Sequence, residues 1–455
     1  MKRKNQNKIT IYIDHWEDYQ SIGDKAMLLN SLRRLELHLG PCLFVGPLSP
    51  KKEDEFYRPS MQTVPAPHLE ILRYAGWLKK LYTKLSKLLP SRIRPKVVSK
   101  DYLNVSIAFL AFKHVLYSLG VRCVFRESFR SFLEVINNCD IFFTVGDCSL
   151  SDYWLDGVIL KSWLIKFVRP YVTVSVLSSQ GIGPLETHWA RRRLIKSLKT
   201  LDILSFRDFS YSKNLVNSEG LTEIPNQIVG DEAFSYPVAD QTDIKLYLEK
   251  EGISDCEPFI IVNFRHTDFT QNTTALLEKA ANLLDHVIKI TKKKIVFICM
   301  SKGDYYGQDY QAGLHIKEIM KHYEQFNLLE PIDDISLVKG VIGTAAYSMG
   351  LSYHLHVFSL SQGHPTLILY SGEYYKTKSE GLTAFYTLPI RAVNFKEESI
   401  EQTLSYINEI EENYAIACKQ VNLVNQKILA NNDWTIAKLK NILIEKGVLD
   451  REKTC

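Results

Sequence analysis

Short runs of β-branched and aromatic residues alternate along this chain with stretches whose apolar positions repeat at helical spacing. Residues 9–13, Ile-Thr-Ile-Tyr-Ile, form the first run. The stretch 25–39 that follows puts Met27, Leu28, Leu32, Leu35 and Leu39 on one helical stripe. Further strands are predicted at 141–145, 173–177, 203–206 and 227–229. The pattern restarts in the second half, where the runs 259–264 and 295–300 flank a long helix over 274–291 and another strand, 366–369, follows Pro365. Strands alternating with helices imply parallel sheets with helices on both faces.

The polar turn Pro237-Val238-Ala239-Asp240 separates the halves. After Val393 the pattern becomes helical, with Leu404, Ile407, Tyr414, Cys418, Val421 and Ile428 in phase and a second helix starting near Trp434. No repeat of fixed period and no low-complexity tract is present. The expected fold is α/β, two doubly wound Rossmann-like domains facing a cleft. The first spans residues 1–240 with a basic helical insertion at about 51–131, the second 241–395, and helices occupy 396–455.

Composition fits this picture. With 455 residues, 45% hydrophobic and 24% charged, the chain is a folded globular protein too long for one ordinary core. A net charge of +5 is low for a dedicated nucleic-acid binder and compatible with an anionic small substrate. The eight cysteines show no CxxC spacing and no suitably placed histidine partner, so neither a zinc site nor a redox pair is indicated. The basic N-terminus leads straight into the first strand without a signal-like apolar stretch. The apolar stretches 103–119 and 158–177 are interrupted by charges, which argues against membrane spans. A soluble, cytoplasmic protein is expected.

The segment 71–100 stands apart. Arg73, Lys79, Lys80, Lys84, Lys87, Arg92, Arg94, Lys96 and Lys100 occur there without one acidic residue, and Trp77, Leu78, Leu81, Leu85 and Leu88 form an apolar stripe between them. Such a segment reads in two ways. One is a helix lying on an anionic membrane surface, or holding an anionic lipid-linked acceptor, which would make the protein peripheral at the inner face of the membrane. The other is a core-packed helix with a solvated basic face.

In open α/β sheets ligands bind beyond the carboxyl ends of the strands, so the loops there carry the candidate chemistry. Ser21-Ile22-Gly23-Asp24 opens the first helix; Asp24 is placed to cap it, and its amides to attract an anion or a sugar hydroxyl. Gly146-Asp147 follows the strand at 141–145, and Asp147 or Asp152 is a candidate acceptor of hydrogen bonds from sugar hydroxyls or simply a solvated loop residue. Ser178 to Pro184 form a glycine-containing turn that matches no phosphate-binding fingerprint. Arg207 and Asp208 end another strand and are candidates to pair with each other. In the second half, Arg265 follows a buried-looking strand, where a guanidinium can clamp a carboxylate or phosphate. His354 and His356 are two positions apart, without a third ligand at metal-site spacing. A histidine at a cleft mouth suits general acid chemistry near neutral pH. Lys376 and Lys378 add charge after the strand at 366–369.

Taken in order, these stretches resemble the polysaccharide pyruvyl transferase family. The resemblance rests on Ser21-Ile22-Gly23-Asp24-Lys25-Ala26-Met27, on Gln180-Gly181-Ile182-Gly183-Pro184, and on Arg207-Asp208, Ser210 and Asp231-Glu232-Ala233-Phe234. It continues with Leu355-His356, Gly363-His364-Pro365 and Tyr370. It covers about 9–393 and is weakest between 51 and 131. His354 stands where the family has arginine, and Gly146-Asp147 where it has paired glycines.

The resemblance implies a fold similar to the glycosyltransferase-B enzymes, with the donor in the second domain and the acceptor in the first. It implies transfer of pyruvate from phosphoenolpyruvate to a hydroxyl pair of a sugar in a polysaccharide or its lipid-linked precursor, forming a ketal. A phosphate and a carboxylate need several cations: Arg265, Lys376 or Lys378, and a protonated His354, with Leu355 in the same segment. His356 is the expected general acid. Gly23, Asp24, Gly146, Asp147, Gln180 and Gly181 are expected on the acceptor side, and neither a metal nor a cofactor is required. The competing readings are a nucleotide-sugar glycosyltransferase of the same architecture, with Glu373 proposed at the donor ribose, and a non-catalytic relative.

Overall fold

A computed structural model describes residues 8–15, 21–47, 61–86, 99–209, 211–254, 257–265, 273–302 and 309–450. The first half runs β1 (Ile9–Asp14), α1 (Ile22–Leu39), β2 (Cys42–Pro47), β3 (Met61–Val64), α2 (His68–Ser86), α3 (Ser99–Ser118) and α4 (Glu127–Ile136). It continues β4 (Ile141–Thr144), α5 (Leu155–Val168), β5 (Val174–Gln180), α6 (His188–Leu198), β6 (Ile203–Phe206), α7 (Tyr211–Ser218) and β7 (Asn226–Ile228). The second half runs α8 (Gln241–Lys250), β8 (Phe259–Asn263), α9 (Thr273–Thr291), β9 (Lys294–Phe297), α10 (Asp309–Ile319), β10 (Phe326–Leu328) and α11 (Ile335–Gly343). After β11 (Tyr347–Gly350), α12 (Tyr353–Ser361), β12 (Thr366–Tyr370), α13 (Glu373–Thr383) and β13 (Arg391–Asn394), the chain closes with α14 (Ile400–Glu412), α15 (Tyr414–Asn432) and α16 (Trp434–Glu445).

These elements build two parallel sheets, ordered β3-β2-β1-β4-β5-β6-β7 and β10-β9-β8-β11-β12-β13. The central strands β1, β4, β5 and β8 are buried at every position, which is why they read as apolar runs rather than alternating ones. The strand order reverses between β1 and β4 in the first sheet and between β8 and β11 in the second. Each reversal splits the flanking loops apart and opens a crevice at the carboxyl ends.

The predicted stripe of α1 is buried, and Leu28, Leu32 and Leu35 join one apolar cluster that also holds Val338, Leu355 and Phe358 of the second half. The helix begins earlier than its apolar pattern. Ser21 is the N-cap and receives the Asp24 amide at 3.4 Å, while Asp24 lies in the first turn, so the cap expected at Asp24 belongs to Ser21. The last helices return to the first half: α16 packs on β5 and β6, and Thr435 bonds Ser205 at 2.8 Å. Arg34 of α1 joins Glu232 (2.6 Å) and Asp433 (2.8 Å) in a largely buried bridge. Removing Glu232, the buried partner, typically costs about 3–5 kcal/mol, because it leaves the Arg34 charge buried, whereas Asp433 is mostly in solvent. Among the described residues no helix is long and apolar enough to cross a membrane.

Candidate active site

The two crevices face each other, and a cavity of about 270 Å³ lies between them. Ser21, Asp24, Cys148, Trp154 and Arg207 line it from the first half, and Arg265, Ser352, His354, Tyr375 and Lys378 from the second. The loops are locked together: the Ile22 amide donates to the Met300 carbonyl at 3.0 Å, and Ser21 bridges Ser301. A larger groove of about 780 Å³, lined by Phe259, Tyr347 and Tyr414, lies at the amino ends of β8 and β11, away from these loops.

Three cations converge on the cavity. Arg207, 3% exposed, lies 3.3 Å from Asp231, stacks over the Tyr353 ring at 4.4 Å and donates to the Cys148 sulfur. Burial opposes its charge, but Cys148, Tyr353 and Asp231 more than offset that and hold its pKa well above the ordinary value. Arg265 lies 3.6 Å from Asp309. Burial again opposes the charge, and Asp309, Tyr375 and Asp24 overcome it. Asp309 is fixed by donors from Asn263 (2.9 Å), Met300 (2.8 Å) and Ser301 (3.0 Å), so it orients the guanidinium toward the cavity. Lys378 stands 4.3 Å over the Tyr374 ring. Cys148 and Tyr374 outweigh its burial and keep it protonated.

His354, at the second position of α12, sits among these cations with Nε2 3.8 Å from Asp231. Burial, then Arg207, Lys378 and Arg265, hold its pKa well below the ordinary histidine value, so the imidazole is neutral. Without a bound anion, His354 is therefore not the cation expected from the sequence. Gly23 makes room for this ring, because a Cβ there would meet it at 1.9 Å.

Several expected site residues lie elsewhere. His356 is fully buried, its Nε2 donating to the Gly350 carbonyl at 2.9 Å and its Nδ1 accepting from the Thr366 hydroxyl at 2.5 Å. Burial lowers its pKa to about 4. With both nitrogens engaged away from the cavity, it is a structural histidine and not the general acid. Leu355 is core. Lys376 faces solvent and pairs with the exposed Glu373 at 3.7 Å, and neither lines the cavity.

On the first half, Asp147 touches the cavity wall, but its carboxylate is committed to Lys161, to Ser149 (2.9 Å) and to Gln180. Burial raises its pKa, but Lys161 together with the Ser149 and Gln180 hydrogen bonds outweighs burial, and the net shift is downward. Gln180 is buried against the Asp147 carbonyl at 2.8 Å, and the Gly181 amide donates to that same carbonyl at 2.9 Å. A Cβ on Gly146 would meet the Ser179 carbonyl at 2.3 Å. Gly146, Asp147, Gln180 and Gly181 therefore brace the cavity wall instead of presenting acceptor ligands. Of the expected acceptor side, Asp24 reaches the cavity, with Gly23 beside it. Asp152 instead holds the turn ahead of α6, accepting from the Glu186 amide at 2.6 Å and the Thr187 amide at 3.2 Å.

Sequence reasoning undervalued Arg207, expected to pair with the adjacent Asp208; its signal was Asp231, 24 positions on. It missed Lys161, one of two lysines in an apolar helix, which is fully buried against Asp147 and 4.0 Å from Asp14. It also missed an aromatic rim. Tyr153 packs on Tyr374 with ring centroids 5.2 Å apart, and Trp154 lies beside them. Among the described residues, no group of three or more His, Cys, Asp or Glu side chains is placed to hold a metal.

Two parallel-sheet domains meeting at their switch points, with a helix returning to the first, define a glycosyltransferase-B-like protein. The polysaccharide pyruvyl transferase family model matches residues 22–373, and the chain belongs to that family. Solved structures share the fold at low identity. A putative UDP-N-acetylglucosamine 2-epimerase from Listeria monocytogenes has a TM-score of 0.54 and 12% identity, over 94% of this chain and 96% of that one. Anabaena HepE in complex with UDP has a TM-score of 0.52 and 9% identity, over 95% and 100%. A glycosyltransferase from Rickettsia africae has a TM-score of 0.51 and 12% identity, over 98% and 100%. No curated protein matches the chain.

Proposed function

We propose that the protein transfers the pyruvyl group of phosphoenolpyruvate to two hydroxyls of one sugar, closing a cyclic ketal in a polysaccharide or its precursor. The observation that carries this reading is the convergence of Arg207, Arg265 and Lys378 on one small cavity. A phosphate and a carboxylate on a three-carbon donor match that charge. The volume of about 270 Å³ is at the low end for ligand pockets and suits this donor better than a nucleotide sugar.

In this reading the guanidiniums and Lys378 hold the phosphate and carboxylate. After burial, it is the repulsion of Arg207, Lys378 and Arg265 that holds the His354 pKa low; the donor's negative charge offsets that repulsion, so His354 takes up a proton when the donor binds. It then delivers that proton to the methylene carbon, which becomes the methyl group. A sugar hydroxyl attacks the adjacent carbon and passes its proton to Asp24. The second hydroxyl attacks the same carbon, its proton leaves with inorganic phosphate, and the ring closes. Trp154 and Tyr153 offer aromatic faces for the sugar beside the donor. The cationic walls stabilise phosphate as it departs, which is the transition-state charge the site is built to meet.

The test is binding by the parent protein and Arg265→Ala. Phosphoenolpyruvate is expected to raise the melting temperature of the parent. Losing one charge-assisted clamp is expected to weaken binding by about 1.5–3 kcal/mol. A melting temperature raised by UDP-glucose and unmoved by phosphoenolpyruvate would replace this donor with a nucleotide sugar.

A further inference from the structure

A second cationic surface lies on the outside of the first domain. Helix α3 packs between α2 and α5. It buries Leu103, Ser106 and Leu110, and on its opposite side exposes Val105, Ala108, Phe112 and Val115, with Leu119 exposed just past its end. Phe112 is 59% exposed and Leu119 76%, and from Val105 onward no charged residue interrupts this stripe, Asp101 standing one turn ahead of it. Soluble surfaces seldom leave a whole helix face apolar. On one flank, α2 exposes Leu69, Leu72, Trp77 and Leu81 together with Lys79, Lys80 and Lys84. Glu70, the acid of α2, is buried and bonded to Arg73 at 2.7 Å.

The other flank is a groove of about 580 Å³ walled by Ile107, Trp163, Phe167 and Trp189. Lys166, Arg192, Arg193 and Lys196 line it, and no acidic residue does so among the described residues. Burial and then the repulsion of Lys196 and Arg193 lower the Lys166 pKa, as expected for cations left without counter-charge. Of the basic segment noted in the sequence, residues 87–98 lie outside the described residues.

We infer that this face docks on an anionic phospholipid bilayer, with the α3 stripe entering the interface and the α5–α6 groove taking a lipid phosphate. Charge complementarity selects this occupant. An apolar strip flanked on both sides by uncompensated cations matches the layered chemistry of acyl chains beneath phosphates. The inference does not depend on the donor or on the reaction.

Sedimentation with vesicles tests it. The parent is expected to pellet with phosphatidylcholine vesicles containing phosphatidylglycerol, to stay in solution with phosphatidylcholine alone, and to be released as salt rises. Lys166→Gln, Arg192→Gln and Lys196→Gln together should weaken binding on the order of 100-fold. The separate pair Phe112→Ser and Val115→Ser should also abolish pelleting. Because all five side chains project from the surface, unchanged circular dichroism and elution volume will report a folded variant. The inference is overturned if the parent ignores both vesicles, binds both equally, or binds undiminished after the charge changes. It is equally overturned if the parent is a dimer that Phe112→Ser dissolves without any vesicle binding, since the occupant is then a second copy of the chain.

Discussion

Helices α12 and α13 both start at the carboxyl end of a strand of the second sheet, and both carry one residue type twice, two positions apart. In α12 the pair is His354 and His356; in α13 it is Lys376 and Lys378. Two positions turn a helix by about 200°, so only one member of each pair can face the cavity. In α12 that member is the first, and the second is core. In α13 it is the second, and the first is in solvent. The residue types in a motif therefore name the chemistry available at the cleft, while helix phase decides which copy delivers it.

The largest expected effect falls on His354. Under the proposed reaction, His354→Gln should lower turnover by about 10²–10⁴-fold, the usual contribution of a positioned acid, and leave donor affinity largely intact. Its pH behaviour separates it from a packing residue. A pKa well below the ordinary value in the free protein, raised when the anion binds, means that donor binding takes up a proton. Affinity should then strengthen as pH falls through the interval between the two pKa values, and His354→Gln should remove that slope. Calorimetry in two buffers of different ionisation enthalpy measures the uptake. Parent-like turnover in His354→Gln would give the chemistry to another group and break the comparison at α12.

His356 should instead govern stability. Its folded pKa of about 4 lies below the ordinary 6.5, so between those values the unfolded chain binds more protons and stability falls as pH falls. The loss attributable to this ring is on the order of 2 kcal/mol at pH 5. His68, also held near 4 by burial, acts in the same direction, so the difference between parent and variant isolates His356. His356→Gln should be less stable than the parent at pH 7 and show a flatter pH dependence of its urea midpoint. A variant that keeps its stability and loses turnover would return His356 to the mechanism.

For Lys378→Gln, the expected outcome is donor binding weakened by about 1.5–3 kcal/mol, with a smaller change in turnover at saturating donor. Titration with phosphoenolpyruvate measures it directly. Unchanged affinity would leave the two arginines as the whole anion site.

The same comparison shows what the sequence could and could not disclose. Strands buried on both faces, such as β1, β4 and β8, were legible because nothing in them interrupts the apolar run. β11, next to β8 at the switch point, was not predicted, because Tyr-Ser-Met-Gly carries a buried Ser348 whose hydroxyl is satisfied by Thr366 at 2.6 Å. Thr366 also bonds His356, so one buried polar network hid both a central strand and the structural role of a histidine. β2, β3, β10 and β13 were likewise not predicted, β3, β10 and β13 being runs of three or four residues. At the site, Arg265, Asp24, Lys378 and His354 were legible as charged or titratable residues at strand ends. The pairings of Arg207 with Asp231 and of Lys161 with Asp147 were not, because their partners meet only once the strand ends are side by side.

The smallest effect is expected at Lys376, and it is the closest control on the reading of α13. Lys376 is 40% exposed, and its partner Glu373, 72% exposed, is one turn away on the same helix. An ion pair this wet is worth roughly 0–1 kcal/mol and weakens with salt. Lys376→Gln should therefore leave melting temperature, donor affinity and turnover close to those of the parent, with changes within about 0.5 kcal/mol. Any residual effect on donor affinity would be long-range attraction through water and should vanish at high ionic strength, whereas the Lys378 effect, inside the cavity, should persist. Measuring both variants at two salt concentrations makes the contrast quantitative. If Lys376→Gln weakens phosphoenolpyruvate as much as Lys378→Gln and does so at high salt, α13 presents its other face to the donor, and the assignment of cavity cations fails at this helix.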